Sequence, residues 1–125
     1  MTSTKSQFPT DGTWDGPWYH VAADDFEARF RLAPEEALDE VRNVDVEIRL
    51  LDGSRWSATI FSLAEVDRLM KVWEGTGEAA GGRCFWSPDG LIVREPGIRV
   101  MVDVITDLLA SGEFDGAFHR LSDEN

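Results

Sequence analysis

The side chains best able to do chemistry are few in this chain and poorly spaced for it. His20 and His119 are the only histidines among 125 residues. Neither has a second histidine at ligand spacing. A catalytic histidine also needs a nucleophile and an orienting acid beside it, which spacing alone does not supply. Cys84 is the single cysteine, so an internal disulfide and a cysteine-based zinc site are both excluded. It sits beside Phe85 and Trp86 in an apolar-patterned stretch, which predicts a packed small hydrophobe rather than a nucleophile.

The carboxylates read the same way. Glu35, Glu36, Asp39 and Glu40 place like charges four apart on a helix, a slightly destabilising arrangement that a divalent ion would relieve. The Asp-x-Asp-x-Asp-Gly loop of a calcium site is missing, so a solvated helix face is expected. Glu74 with Glu78, and Glu113 with Asp115, repeat the pattern. Two carboxylates can act as acid and nucleophile on a glycoside, but their separation is a three-dimensional property. Thr76 to Gly82 is glycine-rich, yet it follows a helix, precedes a strand, and carries Glu78 without a lysine. Phosphate loops use backbone amides at a helix N-terminus and the opposite order of elements. No catalytic residue, metal or cofactor is therefore expected.

Aromatic residues give better candidates for binding. Trp56 and Trp73 lie on apolar stripes and are expected in the core, with Trp86 joining them. Trp14 and Trp18 flank the turn-like Asp15-Gly16-Pro17, where aromatic rings either hold a partner or pin an N-terminal arm. Phe85 and Ile92, edged by Arg83 and Arg94, form an apolar patch with basic edges, a pattern that marks interaction sites and would also support a homodimer. The residues expected to bind are thus Trp14, Trp18, Glu78, Arg83, Phe85, Ile92 and Arg94.

Acids outnumber bases 24 to 12, a net charge of −12. That charge repels phosphate backbones, which disfavours nucleic acid, and steers basic proteins toward the chain. The N-terminal residues lack the apolar run of a signal peptide, and no apolar run approaches the length of a membrane span. A cytoplasmic setting is expected. The functional expectation is a small acidic interaction protein without enzymatic activity, an inhibitor or immunity-like partner of a basic protein. The alternative is a small-ligand-binding domain or minor enzyme with a Trp-lined pocket containing a carboxylate.

These residues need elements to carry them. Val46, Ile48 and Leu50 alternate with Asp45, Glu47 and Arg49, and alternation resumes through Trp56, Ala58 and Ile60. A two-residue Asp52-Gly53 loop would set Trp56 beside Arg49, on the polar face. A three-residue loop of Leu51, Asp52 and Gly53 pairs Ile48 with Trp56 and Val46 with Ala58, with Gly53 in the left-handed position. Ser62 and Glu65 predict a capping box, Phe61 and Val66 a hydrophobic staple, and Gly75 the end of the helix.

Trp18–Ala23 and Phe26–Leu32 predict a hairpin in which Val21 faces Ala28 and Tyr19 faces Phe30. Pro34 to about Arg42 predicts a helix burying Leu38 and Val41. Arg83–Glu95 predicts a second hairpin about a type I turn at Ser87-Pro88-Asp89-Gly90. Ile98–Ser111 predicts a helix, and Phe114, Phe118 and Leu121 a short terminal one. The implied fold class is α+β: a mostly antiparallel sheet built from repeated strand–strand–helix units, with helices covering one face. A tail over 1–16 (Phe8 and Trp14 docking), a single domain over 17–121 and a polar tail over 122–125 complete the expected organisation.

Overall fold

The computed structural model describes residues 12–122; the remainder of the two expected tails, Phe8 included, lies outside the described residues. The chain runs through β1 (Thr13–Asp15), β2 (Trp18–Ala22), β3 (Phe26–Arg31), a 3-10 turn (Leu38–Glu40), β4 (Asn43–Leu50) and β5 (Arg55–Ser62). It continues through α1 (Leu63–Thr76), α2 (Glu78–Gly82), β6 (Gly90–Val93), α3 (Ile98–Ser111), α4 (Phe114–Ala117) and β7 (His119–Arg120). The fold is α+β, with one sheet ordered β1-β2-β3-β4-β5-β6 and β7 added to β5.

The β4–β5 hairpin follows the parity of its apolar residues. Ile48 pairs with Trp56 and Val46 with Ala58. The Gly53 N–H donates to the Leu50 carbonyl and the Leu50 N–H to the Ser54 carbonyl, closing the three-residue loop. Gly53 has φ of +87°, the left-handed conformation that glycine adopts without a Cβ clash. The β2–β3 hairpin likewise pairs Val21 with Ala28 and Tyr19 with Phe30. Its inward residues join Val44, Val46, Ile48, Ala58 and Ile60 in one core. Met101, Val102 and Ile105 of α3, with Phe114 and Phe118, close that core from the helical side.

The expected repeat of strand–strand–helix units does not form. Cys84, Phe85 and Trp86 are not a strand, and the sheet is mixed: β6 runs parallel to β5, pairing Ile60 with Leu91 and Ser62 with Val93. Parallel neighbours need a crossover. Here α1, α2 and residues 83–89 supply it, so β6 has no hairpin partner. The turn at Ser87 to Gly90 is present, with Gly90 N–H bonded to the Ser87 carbonyl. It leads out of the crossover, and Asp89 has φ of +54°, a positive value that the third residue of the expected type I turn does not take, so the type I expectation is corrected.

The helices are not confined to one face. Phe61 follows Ile60 and so points to the opposite face of the sheet. Its ring lies 4.9 Å from Phe85, edge-on, and Phe85 stacks on Trp73 of α1 at 5.6 Å. A second, smaller apolar cluster therefore seats α1 behind the β5–β6 end. This arrangement leaves Trp86 (67% exposed) and Cys84 on the surface, against the expectation of burial.

Four further expectations are corrected. The Pro34–Arg42 segment makes only a 3-10 turn; Val41 is buried but Leu38 only half so, too little apolar surface to support a full helix. The Ser62 hydroxyl accepts from the Glu65 N–H (3.2 Å), but the Glu65 carboxylate does not close the box, because the Ser62 N–H donates to the Arg42 carbonyl. Helix α1 ends at Gly77, with φ of +89°, rather than at Gly75. Residues 13–15, placed in the N-terminal tail by sequence, form the edge strand β1.

Candidate functional site

The face of the sheet opposite α3 is open over β2 to β5. Alternation that sends Tyr19, Val21, Ala28, Phe30, Val46 and Ile48 to the core sends their neighbours here. Cross-strand registers arrange these neighbours in rows. One row reads His20, Arg29, Glu47 and Ser57; the next reads Ala22, Glu27, Arg49 and Arg55. Trp18 pairs with Arg31, and Asp45 with Thr59, toward the other end of the face.

Trp18 is the organising side chain. The Arg29 guanidinium lies 4.3 Å from its ring centroid and that of Arg31 5.7 Å away. Arg29 Nη2 also donates to Glu47 Oε1 at 2.7 Å. The planar cation thus sits between an aromatic face and a carboxylate, a geometry that suits arginine better than lysine. Thr59 Oγ1 donates to Asp45 Oδ1 at 2.7 Å. His20 Nε2 is shielded from solvent without a hydrogen bond among the described residues, and Asp15 Oδ2 is 3.9 Å from it.

Two grooves share this face. One of about 470 Å³ is lined by Trp18, Arg31, Asp45, Thr59 and Asp89 among others. The second, about 230 Å³, is lined by His20, Glu27, Arg29, Glu47, Arg49 and Arg55 over Ile48. Both carry Glu47, so they adjoin. Among the described residues, no group of three or more His, Cys, Asp or Glu side chains could hold a metal ion.

Of the residues expected from sequence to bind, only Trp18 lies here. Trp14 pairs with Tyr19 and packs against its ring at 5.2 Å, so it points to the other face. Phe85 is half-buried between Phe61 and Trp73, while Ile92 is cross-strand from Phe61 and 46% exposed. These two therefore meet through Phe61. Arg83 is turned onto the Ala80 carbonyl (2.9 Å), Glu78 accepts from Thr76 Oγ1, and Arg94 is exposed beyond β6. The expected patch is split between a filled apolar cluster and an exposed strand edge.

Sequence reasoning passed over Arg29, Arg31, Arg49 and Arg55 as ordinary outward residues. One signal was available. The register that sets Ile48 beside Trp56 also sets Arg49 beside Arg55, two like charges directly opposite.

No protein-family model, curated protein or solved structure matches the chain.

Proposed function

We propose that the protein is a non-enzymatic binding domain that docks a net-basic protein on the open face of its sheet, as an inhibitor or immunity-type partner does. The observation that carries this reading is the Trp18–Arg29–Glu47 stack at the centre of that face. Tryptophan and arginine dominate the energetics of protein interfaces, and here both are held in place before any partner arrives. The grooves beside the stack are open to solvent. Small-ligand pockets enclose most of their ligand, so an open, polar sheet surface fits a protein better.

Charge acts at two ranges. The net charge of −12 attracts a basic protein during approach. Contact is then made by a face holding four arginines, which selects a partner presenting carboxylates at the interface.

The test compares wild type with Trp18→Ala as immobilised bait for native lysate at low salt. The expected result is a net-basic protein that wild type retains, that salt releases, and that Trp18→Ala binds about 30-fold more weakly. Equal retention by both baits, or retention of no basic protein, overturns the reading.

One observation favours a second reading, a small-ligand site. The 470 Å³ groove brings Trp18 together with the carboxylates of Asp45, Glu47 and Asp89. Saturable binding of a small cationic or hydroxylated compound, abolished by Asp45→Asn, would favour it over protein docking.

A further inference from the structure

We infer that Arg49 and Arg55, backed by Arg29, form an oxyanion-binding subsite at the hairpin-loop end of the open face. Arg49 and Arg55 are direct cross-strand partners on one face of β4–β5. Like charges in that relationship repel, and a fold keeps such a pair at a cost unless something sits between them. The Arg49 side chain has no hydrogen bond or ion pair among the described residues, and the Arg55 side chain has only a long bond from Nη2 to the Ser122 carbonyl (3.4 Å).

The cavity they line, about 230 Å³, holds three arginines and two carboxylates. Glu47 is already taken by Arg29 at 2.7 Å. Glu27 is the cross-strand neighbour of Arg49 on the far side from Arg55 and forms no ion pair with it. A single positive charge is left over within a chain of net charge −12. Guanidinium groups present paired N–H donors whose spacing matches the two oxygens of a carboxylate or of a phosphate. The subsite is suited to a partner's carboxylate or to free phosphate. It rests on and deepens the reading of this face as a docking surface, and its anion binding is measured without a protein partner.

The experiment follows the arginine Nε–Hε resonances of the full-length protein by NMR. Inorganic phosphate, acetate and chloride are titrated separately at neutral pH and constant ionic strength. Saturable shifts at Arg49 and Arg55 with phosphate, acetate or both are expected, and none with chloride. Saturation by phosphate alone assigns a free phosphate. Saturation by acetate as well assigns a carboxylate.

Arg49→Gln and Arg55→Gln each weaken the interaction about tenfold. Lys71→Gln, on the exposed side of α1 and outside the cavity lining, leaves it unchanged, and the titration uses no protein partner, so loss of a protein partner and loss of the subsite are read separately. Without anion, each Arg→Gln variant keeps or raises the Tm, because a repulsion is removed. Shifts that only drift linearly, shifts that persist in the double variant, or a lowered Tm in either single variant overturn the proposal.

Discussion

Asn43 Nδ2 donates a 2.6 Å hydrogen bond to Oε2 of Glu65, tying the first residue of β4 to the first turn of α1. The same carboxylate accepts from Arg68 Nε and Nη2, both at 2.9 Å, and Arg42 Nε is 3.9 Å away. Glu65 is 2% exposed, so this is a buried charge whose partners compensate its desolvation. Replacing Glu65 with Ala leaves Asn43 and Arg68 without an acceptor at a helix start. The expected loss is about 2 kcal/mol in urea unfolding, and Glu65→Gln falls between the two.

The same group sets an acid limb. The Arg68 hydrogen bonds hold the Glu65 carboxyl below its ordinary value of 4.5; burial opposes them and Asn43 assists. A carboxyl lowered on folding stabilises fully above its unfolded value and loses that stabilisation as pH falls through its folded value. Wild-type Tm is therefore expected to fall steeply below about pH 4.5. The difference between wild type and Glu65→Gln should shrink over the same range, and a constant difference would remove Glu65 from the account.

Helix α1 offers a paired test of its end. Gly77 is left-handed, while Gly75 lies inside the helix with open space where a Cβ would go. Gly75→Ala should raise stability by about 0.5–1 kcal/mol. Gly77→Ala should lower it by about 1 kcal/mol, because the left-handed conformation crowds a Cβ. Opposite signs in thermal denaturation place the cap at Gly77; equal signs would not.

Directly after that cap, Ala79 (φ +50°, ψ +52°) and Ala80 (φ +58°, ψ +38°) are also left-handed. Each alanine bears a steric cost of about 1–2 kcal/mol there. Glycine removes that cost and adds about 0.5–1 kcal/mol of unfolded-chain entropy. Ala79→Gly and Ala80→Gly should each raise stability by about 0.5–1 kcal/mol, against the usual direction for this substitution. Calorimetry of both single variants checks it.

Cys84 is exposed, with its Sγ 3.5 Å from the Ala79 carbonyl. A maleimide should label it in the folded protein at a rate close to that of the urea-unfolded chain. Labelling that waits for unfolding would return Cys84 to the core.

Local chemistry was legible in the residues themselves. The parity of Ile48 and Trp56 about Leu51-Asp52-Gly53 decided a loop length, because a one-residue slip would turn Trp56 outward. The Ser62 cap and the pairing of Val21 with Ala28 follow from equally short-range rules. That register also contained the Arg49–Arg55 opposition at the candidate site. What depended on distant segments was not legible. An apolar residue states that it will be covered, but not by what. Phe85 satisfies its pattern against Trp73 and Phe61, so residues 83–86 leave the sheet and β6 turns parallel to β5. The open face exists because α1 packs behind one end of the sheet and α3 covers the other side. Burial is shared between segments far apart in sequence, so only the assembled chain decides which polar residues remain facing outward together.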